Sequence, residues 1–300
     1  MIAILNRAAG GPTANSDESD RQVRELFTNH GIELRILHPE GERDLAELAA
    51  EAARDTGDVI VAGGGDGTIS AVASALVGTG KALGVLPLGT LNHFAKDLGI
   101  PLELDAAVET IARGHAVAVD TGEVNGRLFL NNSSLGLYPR IVANREAQQE
   151  RLARGKWTAF GWAALRALRR FPFLDLSVAL PGEKLHRRTA FLFVGNNEYE
   201  FSGFNLGSRR CINAGRLGLY LTHRTGRLGL LRLALRALIG RLAQADDFDV
   251  FCAEQATIES RHARLLVATD GEVNWMETPL DYRIRPAALR VLVPQPTTSE

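Results

Sequence analysis

An apolar run, Asp58-Val-Ile-Val-Ala62, stops in Gly63-Gly64-Gly65-Asp66-Gly67-Thr68. Glycine admits positive φ and lets backbone N–H groups approach an anion closely. The apolar spacing Ile69, Val72, Ala73, Leu76 predicts a helix immediately after, whose N-terminus adds partial positive charge. Such a loop can hold polyphosphate, and Asp66 can hold its magnesium. A Walker loop would need Lys-Ser/Thr after its last glycine, and a Rossmann fingerprint would need a third glycine or alanine where Ser70 stands. Neither pattern fits, so metal and backbone must neutralise more of the phosphate charge. Without a ligand, the same residues would form a tight strand-to-helix turn.

A second loop strengthens the phosphate reading. Gly84-Val-Leu-Pro87-Leu88-Gly89 reads as a strand running into a turn, and Thr90 and Asn92 open a helical segment that Gly99 and Pro101 close. After the opening strand Ile2 to Leu5, Asn6-Arg7-Ala8-Ala9-Gly10-Gly11 supplies a third turn of this kind. All three fall at the carboxyl ends of expected parallel strands, where open α/β sheets bind ligands. Near the end of the chain, Asp270-Gly271 lies between the apolar runs Leu265–Ala268 and Val273–Trp275, which is a strong hairpin signal. A hairpin tip directed into a cleft also presents a carboxylate well.

With these motifs the chain resembles the diacylglycerol kinase catalytic-domain family of soluble lipid kinases, which includes sphingosine and ceramide kinases and is more distantly similar to NAD kinases. The resemblance rests on Gly64-Gly-Asp-Gly-Thr68, Pro87-Leu-Gly-Thr-Leu-Asn92, Asp120-x-Gly122-x-Val-Asn125, Phe129-x-Asn131-x-x-Ser134-x-Gly136 and Asp270-Gly271-Glu272. It implies a two-domain, ATP- and Mg2+-dependent lipid kinase. Nucleotide contacts carried over by position are Asn6, Gly64, Gly65, Asp66, Gly67, Thr68, Ser70, Thr90, Asn92 and, in the last motif, Glu272. Asp270 matches the proton acceptor for the lipid hydroxyl, Asp66 is its rival for that role, and Asp66 is also the magnesium ligand. Asp270 is the preferred base, since a carboxylate can orient the hydroxyl and take its proton late in a loose transition state.

Three departures stand out. Many members have Asn-Asp-Phe where this chain has Asn92-His93-Phe94. Asn213-Ala214-Gly215 replaces an Asp-Asp-Gly that binds a structural magnesium, so that site is expected to be empty, because hard cations need charged oxygen ligands. No threonine follows the second strand around Leu37-His38-Pro39-Glu40.

Composition adds limits. The 300 residues are 45% hydrophobic and 23% charged, enough for two modest cores, and the formal net charge of -1 argues against a general nucleic-acid binder. Cys211 and Cys252 match no metal or redox spacing, and no signal peptide opens the chain, so a cytoplasmic protein is expected. No segment reaches the roughly 20 apolar residues of a membrane span. Two basic stretches, Arg151 to Arg170 and Leu228 to Ala243, suit either ordinary packed or solvated helices or contact with an anionic membrane surface at its inner face.

Alternating strands and helices up to about His115 predict an α/β, Rossmann-like N-terminal domain, residues 1–122 with 287–300. Beyond it, Arg127 to Leu130, Leu176 to Leu180, Thr189 to Val194, Leu217 to Leu221, Phe248 to Phe251 and Ala263 to Ala268 read as short strands of a mainly β-sandwich domain, residues 123–286. The whole is an NAD kinase/diacylglycerol kinase-like architecture. The expected activity is transfer of the γ-phosphoryl group of ATP to a hydroxyl of a diacylglycerol-like lipid. An NAD kinase-like enzyme and a non-catalytic nucleotide-binding regulator stay open as alternatives, as do monomer and homodimer.

Overall fold

Strands apolar at every position suit a sheet covered on both faces, and the chain opens with such strands. The computed structural model describes residues 1–6, 16–39, 44–136, 139, 173–202, 205–209, 211–222 and 248–295. It divides into two units, Met1–Thr121 with Arg285–Glu300 and Gly122–Ile284. The first unit runs β1 (Ile2–Leu5), α1 (Ser16–Asn29), β2 (Arg35–Leu37), α2 (Leu45–Ala53), β3 (Val59–Gly64), α3 (Asp66–Leu76), β4 (Ala82–Pro87), α4 (His93–Asp97) and α5 (Leu104–Arg113). Then β5 (Ala116–Val124) leads into the second unit, with β6 (Arg127–Phe129), β7 (Asn132–Gly136), β8 (Leu174–Leu180), β9 (Glu183–Thr189), β10 (Phe191–Asn196), β11 (Tyr199–Ser202) and β12 (Asn205–Arg209). There follow β13 (Leu217–Thr222), β14 (Phe248–Ala253), β15 (Gln255–Ser260), β16 (Arg264–Thr269), β17 (Glu272–Glu277) and β18 (Leu280–Leu292), whose last part returns to the first unit.

In the first unit β2, β1, β3 and β4 are parallel neighbours in that order, and the end of β18 continues the sheet beside β4. The chain steps outward from β1 to β2 and then crosses back to β3. The carboxyl ends of β1 and β3 therefore form the switch point at which α/β sheets bind ligands. Helix α3 buries Ile69, Val72, Ala73 and Leu76, the stripe expected from the sequence. Helix α5 buries Val108 and Ile111 and stops at Gly114, whose φ of 66° is the left-handed conformation glycine adopts freely.

The second unit packs two layers. Strands β8, β9 and β15 join the first part of β18, with β15 antiparallel to both β8 and β18. The other layer is six-stranded, β14-β13-β10-β7-β16-β17. Leu135, Leu192, Val194, Leu219, Val267, Ile258, Leu176 and Tyr282 fill the core. The run Thr189 to Val194, expected as one strand, is broken at Ala190, and its parts pair with different layers. The cause lies in Thr189, whose hydroxyl bonds the Phe191 carbonyl and the Thr222 hydroxyl at the break. Strand β9 is Glu-Lys-Leu-His-Arg-Arg-Thr, an edge strand that turns mostly charged side chains to solvent, and its apolar content is too low to read as a strand. The two basic stretches at 151–170 and 228–243 lie outside the described residues.

Gly122 faces Phe129 directly across the β5–β6 pair, and a Cβ there would stand 2.2 Å from the buried ring. Gly122→Ala is therefore expected to lower stability by about 1–3 kcal/mol through overpacking, seen as a lower urea midpoint with an unchanged m-value.

Candidate active site

Two loops of the first unit are locked together through backbone. A Cβ on Gly89 would meet Gly65 Cα at 2.4 Å, so the turn after β4 lies directly on the turn after β3. A Cβ on Gly64 would strike Thr68 Oγ1 at 2.6 Å. Gly65 is the N-cap of α3 and offers no side chain to the helix, so the first-turn N–H groups lack the usual side-chain cap. Asn6, at the end of β1, donates from Nδ2 to Thr68 Oγ1 at 3.1 Å. These residues give an uncapped helix N-terminus at the switch point, a ready position for phosphate.

Asp66 joins the loops by charge. Its Oδ2 accepts the His93 N–H at 3.2 Å and its Oδ1 accepts the Phe94 N–H at 3.1 Å. The cap of α4 is thus supplied from the other loop. Asn92 opens that helix as expected, as its N-cap residue, but it does so with a left-handed φ of 51° and turns its side-chain amide back into its own loop instead of capping the helix. Its Oδ1 accepts the Gly89 N–H at 3.0 Å, and its Nδ2 donates to the carbonyls of Pro87 and Gly89. Asn92 is 5% exposed; it shapes the loop from within. Thr90 is exposed beside it, while Gly67 and Ser70 are half-buried near the start of α3. His38, in the region where the family threonine is missing, places Nδ1 2.9 Å from the Leu5 carbonyl oxygen and Nε2 2.7 Å from Asp20 Oδ2. It ties α1 to the end of β1.

In the second unit Asp270 and Gly271, with φ of 48° and 91°, form the two-residue turn between β16 and β17. The expected hairpin is present, and it aims the carboxylate at the segment between β6 and β7. Oδ2 accepts the Leu130 N–H at 2.7 Å, and Oδ1 accepts the N–H groups of Asn131 and Asn132 at 2.8 and 3.1 Å. Three backbone donors favour the ionised form of a carboxylate. The carbonyls of the same segment are held by Asn196, Tyr199 and Arg209. Sequence reasoning did not single these out, although Gly195-Asn196-Asn197, polar at the end of an apolar strand, is a local signal for them.

The other motif residues serve the frame. Asn125, with φ 46°, bonds the carbonyls of Glu277 and Pro279 and the N–H of Asp281. Asp120 Oδ1 accepts the N–H of Ala287, where β18 takes a positive φ. Glu272 pairs with Arg127, which also donates to Thr269 Oγ1 at 3.0 Å. At the site that lacks its two aspartates, the Ala214 N–H bonds Asn197 Oδ1 at 2.9 Å. No cluster of three or more His, Cys, Asp or Glu side chains able to hold a metal occurs among the described residues, nor is any helix among them long and apolar enough to cross a membrane. Arg7 to Gly11 lie outside the described residues.

Comparison with known proteins agrees with this arrangement. Residues 1–124 match the diacylglycerol kinase catalytic domain, and residues 139–293 match the YegS C-terminal NAD kinase beta sandwich-like domain. The chain is 30% identical over 244 residues, 78% of each chain, to the "Probable lipid kinase YegS" of Salmonella gallinarum (strain 287/91 / NCTC 13346). It is 37% identical over 146 residues to the "Probable lipid kinase YegS-like" of Yersinia enterocolitica serotype O:8 / biotype 1B (strain NCTC 13174 / 8081), a match that spans 47% of this chain and 48% of that protein. A crystal structure of a diacylglycerol kinase from Bacillus anthracis str. Sterne superposes with a TM-score of 0.71 at 21% identity, covering 98% of this chain and 96% of that one, and so shares its fold. From its N-terminal loops to its β-sandwich, the chain belongs to the diacylglycerol kinase catalytic-domain family of kinases.

Proposed function

We propose that this protein transfers the γ-phosphoryl group of ATP to a hydroxyl of a diacylglycerol-like lipid. The observation that carries the reading is the backbone contact of Gly65 with Gly89 beside the uncapped N-terminus of α3. A side chain at Gly64 would strike Thr68 and one at Gly89 would strike Gly65, so both glycines are needed for the two loops to close on each other, and the N–H groups of a helix start without a side-chain cap suit phosphate charge. The names of the relatives, probable lipid kinases, supply the acceptor class.

ATP fits the residues present. Asn6, Gly64 to Thr68 and Ser70 surround the α3 N-terminus, with Thr90 and the loop shaped by Asn92 beside them. Magnesium, when bound, neutralises phosphate charge. Asp66 is the carboxylate that would hold it, since a carboxylate offers about four lone-pair directions and two here accept N–H groups. Magnesium of this kind takes one or two carboxylates and fills its other positions with phosphate oxygens and water.

Asp270 is the group assigned to the acceptor hydroxyl. Held by three N–H donors it is a weak base, which is compatible with a loose transition state in which the proton leaves late. Its first task is then to orient the hydroxyl, and its second is to accept the proton. Glu272, paired with Arg127, holds the far side of the turn. The protein would meet its lipid at a membrane surface from the cytoplasmic side.

The test is phosphate transfer from labelled ATP to diacylglycerol, phosphatidylglycerol, sphingosine, ceramide and NAD in mixed micelles. A labelled lipid is expected. Label on NAD would replace the reading by an NAD kinase, and ATP binding without any labelled product would favour a regulator. Asp270→Asn should lower turnover by about 10²–10⁴-fold while the dissociation constant for ATP stays unchanged. The asparagine amide cannot accept all three N–H bonds, so a circular dichroism spectrum and melting temperature accompany the rate. Gly89→Ala should do the reverse, raising KM for ATP at least tenfold through separation of the two loops while KM for lipid holds.

A further inference from the structure

Two peptide groups connect Asp270 to the side chains of Asn196, Tyr199 and Arg209. The oxygen of the Leu130–Asn131 peptide accepts Asn196 Nδ2 at 2.7 Å and Arg209 Nη1 at 2.8 Å, and its N–H donates to Asp270 Oδ1. The oxygen of the Asn131–Asn132 peptide accepts the Tyr199 hydroxyl and the Asn196 N–H, both at 2.9 Å, and its N–H also donates to Asp270 Oδ1. Arg209 lies over the Tyr199 ring at 5.9 Å and reaches Asn131 Oδ1 with Nη2 at 3.4 Å. Asn196 and Tyr199 are buried.

A peptide is one conjugated group. A donor at its oxygen draws electron density from its nitrogen and makes its N–H a better donor, and bonds in series strengthen one another most where water is excluded. We infer that Arg209 and Tyr199 are positioning residues that set the orientation and proton affinity of Asp270 through these two peptide groups. The inference rests on the reading of Asp270 as the group facing the acceptor hydroxyl. An arginine guanidinium is a fixed positive charge, so the relay supplies a constant bias. Among the described residues, Arg127 and Glu272 also carry charge at the turn and pair with each other.

The sign follows from the donors. They stabilise the carboxylate, so weakening them lets Asp270 hold its proton to higher pH and moves the acid limb of kcat/KM upward. Removing Arg209 also removes a nearby positive charge, which acts in the same direction without the relay. Tyr199 is neutral, and Tyr199→Phe therefore isolates the peptide route.

The experiment compares wild type, Arg209→Gln, Arg209→Lys and Tyr199→Phe in two measurements: kcat/KM against pH, and a carbon-13 titration of the Asp270 carboxyl, assigned by its loss in Asp270→Asn. The acid limb and the carboxyl titration are both expected to rise by about half a pH unit in Arg209→Gln and Tyr199→Phe. Arg209→Lys should lie between them and wild type, with KM for ATP unchanged throughout. A loss of rate by one factor at every pH, with an unmoved titration, would overturn the relay and leave only a structural clamp. Movement in Arg209→Gln alone would overturn the peptide route in favour of direct charge. The titration needs no turnover, so a protein that phosphorylates no lipid yet shows the shift in Tyr199→Phe refutes the kinase reading and supports the relay. Melting temperatures establish that each variant is folded.

Discussion

Three consecutive backbone N–H groups converge on the carboxylate of Asp270, and much of the second unit is arranged around that convergence. The chain between β6 and β7 leaves its ladder at Leu130 and Asn131, and amide groups that leave a ladder need other partners when buried. One carboxylate satisfies three of them at once. The carbonyls on the other side are satisfied from β10, β11 and β12, through Asn196, Tyr199 and Arg209. The turn that delivers the carboxylate needs positive φ at two successive positions, a conformation that aspartate tolerates and glycine adopts readily. Aspartate followed by glycine is therefore required by the turn and by the orphan amides before any chemistry is considered.

The first unit uses the same device on a smaller scale. Asp66 bridges from the start of α3 to the first N–H groups of α4, and Gly89 lies on Gly65 without an intervening side chain. Hydrogen bonds to a charged group contribute about 1.5–3 kcal/mol each. An exposed helical pair such as Arg113 with Glu109 contributes about 0.3–0.5 kcal/mol. The geometry of the two glycine-rich loops is therefore set by Asp66 and by the inward amide of Asn92, and little by surface ion pairs. A carboxylate in that position can serve the loop and still face a cation, because the two N–H groups occupy only part of its lone-pair capacity.

Much of this was legible in the sequence. The apolar strands, the glycine loops and the Asp-Gly turn carry strong local signals, and each appears where its composition placed it. The partners of the loops were not legible. Asn92 opens α4 as its position suggests, yet the left-handed backbone and the use of its amide within the loop, bonded to Gly89, were not legible. Strand β9 was hidden because an edge strand keeps its register through pairing with β8 while presenting charges outward. The groups around Asp270 come from positions 60 to 140 residues away, such as Arg209 and Leu130, and no local pattern encodes a meeting of that kind.

The departure at His93 is intelligible on the same grounds. Asp66 bonds the backbone N–H groups of residues 93 and 94, so the side chain at 93 is not needed to hold the two loops together. An aspartate there would place a second negative charge beside Asp66 at one helix start. Two carboxylates in that position would repel each other and any phosphate nearby. Histidine removes the fixed negative charge and leaves the loop contacts untouched. The change therefore alters the electrostatics beside the two glycine-rich loops while leaving the backbone contacts that Asp66 makes between them in place.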